Sequence, residues 1–106
     1  GVMSVEVENG IDLYISQGNS ETLKIEADQN LHQYVKTEME GDNLRISLSK
    51  IVRKAKTLRV YLTVKQIKGI GVSGGSDLYT ETKLESNSLS IICSGGSDAK
   101  IEVEVN

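Results

Sequence analysis

The chain has 106 residues, the length of one domain, and can bury about two-thirds of its unfolded surface. Val, Ile and Thr number 26 against three Ala, and Phe, Trp and Pro are absent, which excludes a helix bundle and points to strands. A net charge of −3, one Cys and the lack of a long apolar run exclude a general nucleic-acid binder, a disulfide framework, a multi-thiolate metal site and a membrane helix.

Alternation with period two runs through most of the chain. Val5, Val7, Ile11, Leu13 and Ile15 share one parity, with Glu6, Glu8, Asp12, Tyr14 and Ser16 on the other. Asn9-Gly10 has the look of a hairpin turn, but a two-residue loop would set Val7 against Asp12 on one face. The parity therefore predicts a bend or bulge within a continuing strand. Leu23, Ile25 and Ala27 resume the alternation after a polar loop at 17–21. The stretch from Asp28 to Tyr34 is a break with room for one helical turn, N-capped by Asp28 or Asn30.

Next comes an antiparallel hairpin about Gly41-Asp42, a Gly-X turn of type II′. It pairs Met39 with Leu44, Thr37 with Ile46 and Val35 with Leu48 on one face, and Glu38 with Arg45 on the other. A loop at 49–57 leads to a strand carrying Leu58, Val60, Leu62 and Val64.

The last third repeats. Ser73-Gly74-Gly75-Ser76-Asp77 recurs 21 residues later as Ser94-Gly95-Gly96-Ser97-Asp98. Ile70 and Val72 answer Ile91 and Cys93, while Leu78, Thr80, Thr82 and Leu84 answer Ala99, Ile101, Val103 and Val105. A unit this short cannot bury its own apolar face and must stack on a neighbour. The expected fold is all-β, a β-solenoid or single-stranded right-handed β-helix-like stack with an N-terminal antiparallel hairpin region. Residues 1–106 form a single β domain with repeat units at 70–90 and 91–106. No capping element precedes Asn106, so the chain is expected to be the N-terminal part of a longer solenoid. The expected inward residues are Val7, Leu13, Ile25, Ile46, Val60, Leu62, Ile70, Val72, Ile91 and Ile101, and Cys93 beside them.

Several further features carry a resemblance. They are Gly10-Ile11-Asp12-Leu13-Tyr14-Ile15-Ser16-Gln17-Gly18, Ile25-Glu26-Ala27-Asp28-Gln29-Asn30-Leu31, Gly41-Asp42-Asn43-Leu44-Arg45-Ile46 and the two Ser-Gly-Gly-Ser-Asp corners. In this order they resemble the putative auto-transporter adhesin, head GIN domain family of bacterial envelope proteins. The resemblance implies a secreted β-solenoid of the periplasm or outer surface of a Gram-negative bacterium. Residues 1–7 carry no signal peptide, so the export signal would lie outside this chain.

Candidate chemistry is sparse. Rows of Ser and Asp at the two corners could bind Ca²⁺ or a sugar hydroxyl. Turn chemistry accounts for them without a ligand: Gly supplies positive φ, and Ser and Asp satisfy backbone groups. Ser73, Gly74, Gly75, Ser76, Asp77, Ser94, Gly95, Gly96, Ser97 and Asp98 are therefore read as structural turn residues. Eight basic residues and no acid fall between 43 and 76. Arg53, Lys54, Lys56 and Arg59 are the candidate patch for an anion or glycan, against a reading in which basic strands lie between acidic ones. His32 has no partner nearby in sequence and reads as an exposed, ordinary histidine. Tyr14, Tyr61 and Tyr79 fall at outward positions, where they could stack on sugar rings or cover neighbouring strands.

No catalytic motif is present, no cofactor is implied, and the expected function is a non-catalytic adhesin or surface scaffold. The alternatives are a polysaccharide-active β-helix enzyme and a small glycan- or peptide-binding module. A surface glycan or an envelope protein is the expected partner, with no nucleic acid. An uncovered C-terminal strand edge would also allow a homo-oligomer.

Overall fold

A computed structural model describes residues 1–8, 10–27, 31–49 and 58–105. Among these the chain is β throughout, with no α-helix. The strands are β1 (Ser4–Val7), β2 (Asp12–Gln17), β3 (Thr22–Ala27), β4 (Val35–Glu40), β5 (Asn43–Leu48), β6 (Leu58–Val64), β7 (Gly69–Val72), β8 (Asp77–Thr80), β9 (Leu84–Ser86), β10 (Ser90–Cys93), β11 (Asp98–Lys100) and β12 (Val103–Val105). They build one sheet in the order β10-β7-β1-β5-β4, a second in the order β11-β8-β2-β6-β3, and a β12-β9 pair.

Both five-stranded sheets are mixed. Their inner neighbours run parallel, while β4 pairs antiparallel with β5 and β3 antiparallel with β6. The β4–β5 hairpin has the expected register, Val35↔Leu48, Thr37↔Ile46 and Met39↔Leu44. Glu38 faces Arg45, but the charges pair elsewhere: Lys36 Nζ lies 2.7 Å from Glu38, and Arg45 reaches across to Glu8 at 3.0 Å.

Segments 21 residues apart in the last third pair parallel and in register. Ile91 lies beside Ile70, Cys93 beside Val72 and Ala99 beside Leu78. At the third side the register differs from expectation by two residues, since Val103 rather than Val105 lies beside Leu84. From the paired Asp77 and Asp98, Leu84 lies seven residues on and Val103 only five. A shift of two preserves which face each side chain takes.

The fold is all-β as expected, but its mixed sheets depart from the expected β-solenoid, most plainly at β1 and β2. They do not start the stack but lie inside both sheets, between β5–β6 and β7–β8. Val5 pairs with Leu44 on one side and Ile70 on the other, and Leu13 with Val60 and Leu78. These registers make Gly10 the counterpart of Gly75 and Gly96, and the three share φ of 76°, 79° and 80°. The expected bend within a continuing strand is thus a corner between two sheets, a third copy of the Gly-rich turn. Asn9 itself lies outside the described residues.

The core gathers Val5, Val7, Ile11, Leu13, Ile15, Leu44, Ile46, Val60, Leu62, Val64, Ile70, Val72, Leu78 and Leu84, all buried. Ile25, Ile91 and Ile101 are only partly buried, because they lie on or beside strands at the ends of the stack. Cys93 is exposed, contrary to expectation. It has the register of buried Val72, but β10 is an edge strand with a neighbour on one side only. Among the described residues the break after β3 holds one 3-10 turn, His32–Tyr34. Leu31 stands at its N-cap without a side-chain hydrogen bond and is itself buried. Asp28 and Asn30, the expected caps, lie outside the described residues.

One side chain ties the segment after β6 to β9. Gln17 Nε2 donates to the carbonyls of Lys65 (3.0 Å) and Glu85 (3.1 Å), while the Glu85 N–H donates to Gln17 Oε1 at 2.7 Å. The amide thus does the work of a peptide unit between the segment after β6 and β9. Replacing it with Glu removes both donated bonds and sets a carboxylate against two carbonyls. Gln17→Glu should cost about 1–3 kcal/mol, reduced by partial exposure of the site. Urea melts check this, and a midpoint equal to the parent's would disprove the bridging role.

Candidate functional site

Two outward faces carry the functional groups. On the second sheet, Tyr61, Tyr14 and Tyr79 occupy one row on β6, β2 and β8. Their rings stack at centroid distances of 5.0 and 4.8 Å, with interplanar angles of 22° and 19°. Lys24 Nζ lies 5.9 Å from the far side of the ladder at Tyr61. Both faces of the Tyr14 ring are therefore taken by other rings, so a sugar cannot stack on it. The ladder braces three parallel strands, β6, β2 and β8, rather than offering a platform. Burial is the first cause that raises the Tyr79 hydroxyl above its ordinary range, followed by the charge of Asp77.

The neighbouring row holds Asp12, Asp77 and Asp98 on β2, β8 and β11. The Asp77 N–H donates to Asp12 Oδ1 at 3.1 Å, and the Asp98 N–H to Asp77 Oδ1 at 3.2 Å. Each carboxylate ties its corner to the next. Partial burial raises the Asp12 carboxyl despite the bond from Asp77, which lowers it. Among the described residues no cluster of three or more His, Cys, Asp or Glu is placed to hold a metal ion. Each corner is also closed by backbone bonds, Ser73 N–H to Val7 O, Ser94 N–H to Val72 O and Gly75 N–H to Gly95 O, at 3.0–3.1 Å. Gly74, Gly75, Gly95 and Gly96 all have positive φ. The Ser76 and Ser97 hydroxyls are buried and lack a hydrogen-bond partner among the described residues.

The outer face of the first sheet holds a groove of about 440 Å³. Its floor is β7, where the outward positions are Gly69 and Gly71. Ser4, Glu6 and Glu8 wall one side, and Ser90, Ile92 and Ser94 the other. The acidic wall is held from behind. Asn43 Nδ2 donates to Glu6 Oε1 at 3.3 Å, Ser4 Oγ to Asn43 Oδ1 at 2.9 Å, and Arg45 Nε to Glu8 Oε1 at 3.0 Å. Ile92 is 64% exposed, the most exposed of the large apolar side chains described. Sequence reasoning passed over this groove, although two glycines at alternate positions of one strand signal it.

Residues 3–106, nearly the whole chain, match the family described as putative auto-transporter adhesin, head GIN domain. The chain belongs to this family. The fold of this head GIN domain is also seen in solved structures. A putative adhesin from Bacteroides fragilis superposes with a TM-score of 0.87 at 21% identity, over 97% of this chain and 50% of its own. A putative adhesin from Parabacteroides merdae gives 0.79 at 22%, over 87% of this chain and 39% of its own. A protein from Parabacteroides distasonis described as a putative lipid binding protein gives 0.78 at 17%, over 99% and 56%. Identities this low speak for the fold alone, and the GIN domain spans about half the length of these structures or less. No curated protein matches the chain.

The basic stretch of this GIN domain is largely matched by acids wherever it is described. Arg45 meets Glu8, Lys68 meets Asp42 at 3.2 Å, and Arg59 meets Glu26 at 3.6 Å. Arg59 also lies 6.0 Å from the Tyr14 ring centroid. These exposed pairs contribute little stability each, yet they spread the positive charge among acidic strands. Arg53, Lys54 and Lys56 lie outside the described residues. His32 is exposed.

Proposed function

We propose that this head GIN domain is a non-catalytic part of an exported adhesin or surface scaffold, carried in the periplasm or on the outer face of a Gram-negative cell. The observation that carries the reading is the in-register parallel stacking of like residues at 21-residue spacing, with Ile70 beside Ile91 and Asp77 beside Asp98. Such a stack is the repeating unit of a β-solenoid, a stiff rod whose faces present rows of side chains to a partner. Family membership and the likeness to structures described as putative adhesins support it. Since those structures extend well beyond the matched region, we take residues 1–106 as one section of a longer stack. Further strands would then pair with β10, β11 and β12. The partner would be a surface glycan or an envelope protein. A second copy is the competing occupant of the β10–β12 edge.

Two measurements test the reading. In cells making the complete gene product, the domain should appear in the periplasmic or surface-exposed fraction and be open to protease added outside after osmotic shock. A wholly cytoplasmic pool would refute export. Light scattering of a longer chain should show a monomer. Dimers that persist in the longer chain and dissociate on Ile92→Lys would assign the edge to a second copy.

A further inference from the structure

The glycines at 69 and 71 are not required by the backbone. Neither has a positive φ, unlike the six glycines that do. A Cβ on Gly71 would meet Glu6 Cγ at 3.5 Å, an ordinary contact, and one on Gly69 would meet Ser4 Cβ at 3.3 Å. Glycine in a strand interior weakens it and leaves nothing to pack, unless something approaches the backbone there. In the same rows, β1 carries Ser4 and Glu6, β5 carries Asn43 and Arg45, and β10 carries Ser90 and Ile92. β7 alone is bare, and the bareness is what makes the groove.

The geometry points to a binding site for an uncharged pyranose sugar, lying flat on the Gly69–Gly71 backbone between Glu6 and Ile92. The assignment deepens the adhesin reading by naming the ligand class. The two walls stand two strand spacings apart, about 9.6 Å, wide enough for a sugar ring between the side chains. Its C–H face would rest on the glycine floor and Ile92. Its hydroxyls would donate to Glu6 and Glu8, whose Oε1 atoms are already fixed by Asn43 and Arg45 and whose Oε2 atoms have no hydrogen-bond partner among the described residues. Ser90 and Ser94 supply hydroxyls opposite.

The other occupants fit less well. An acyl chain would bury carboxylates and hydroxyls without partners. An anionic sugar or phosphate would meet Glu6 and Glu8, two carboxylates that share the Arg45 guanidinium and keep a net negative charge on this wall. A peptide strand would find β7 already paired on both sides by β1 and β10.

The test is amide NMR of the intact chain. Neutral hexose and N-acetylhexosamine oligosaccharides at millimolar concentration should shift the Gly69 and Gly71 amides saturably. Uronic-acid oligosaccharides, fatty acids and phospholipid vesicles should leave them in place. Glu6→Gln should weaken binding about tenfold, a carboxylate being the stronger acceptor. Gly71→Val fills the groove in a strand that favours β-branched residues, so it should melt no lower than the parent while binding is lost. Neutral sugars that leave both amides unmoved, or that bind Gly71→Val as well as the parent, would overturn the assignment. So would a response to fatty acids or vesicles instead. Failure here leaves the fractionation result standing, and a cytoplasmic pool with an active groove would sink export alone.

Discussion

Leu13→Ala should remove about 2–5 kcal/mol of stability, the range for deleting most of a buried leucine where the surroundings cannot collapse. Leu13 is fully buried on β2, with Val60 beside it on β6 and Leu78 on β8. Both neighbours sit on strands fixed by parallel ladders, so neither can move in to fill the space. Against a total of about 5–15 kcal/mol for a domain, this is a large share. Leu23 on the edge strand β3 provides the comparison. It is 42% exposed, and Leu23→Ala should cost about 1 kcal/mol or less. Urea unfolding of the pair measures the difference. Equal midpoints would mean that the centre of the stack is no more constrained than its rim.

Gly95→Val should be the more damaging of two corner substitutions. Gly95 and Gly96 have φ of 66° and 80°, a region costing a branched side chain about 1–3 kcal/mol. At Gly96 nothing lies within 4 Å of an added Cβ, so the backbone term stands alone. At Gly95 the Cβ would approach the Gly74 backbone N to 3.0 Å, which presses one corner against the next. Gly95→Val should therefore melt below Gly96→Val, and both below the parent. If Gly96→Val were the worse, contact between corners would not be what holds their spacing.

The hairpin about Gly41-Asp42 was legible in the residues because turn chemistry and side-chain parity agree at every pair. The corners were legible because Ser-Gly-Gly-Ser-Asp occurs twice at fixed spacing. The place of β1 and β2 was not. Parallel pairing of distant segments leaves no short-range turn signal, and parity alone read Asn9-Gly10 as part of one strand. A trace was present: Asp12-Leu13-Tyr14 recurs as Asp77-Leu78-Tyr79, the two stretches that lie side by side in the second sheet. Cys93 has the right parity for the interior, but burial depends on a neighbouring strand that periodicity cannot see. The groove stayed hidden for a related reason. In the sequence Gly69 and Gly71 carry no side chain to read, and only the filled positions on either side show the gap.

The interior place of β1 and β2 sets an order on folding. Residues 4–17 leave the ribosome, or any export channel, before either of their neighbours. Their ladders need residues 43–64 on one flank and residues 69–80 on the other. Two edges thus wait unpaired while most of the chain is made. The contacts that bury them close long loops, which makes for slow folding. An array that grows unit by unit can nucleate anywhere and lose an end without losing the rest. This chain cannot lose residues 4–17 in that way, because removing β1 and β2 would part β5–β6 from β7–β8. Residues 4–17, made before the strands that flank them, act as the keystone of the finished fold.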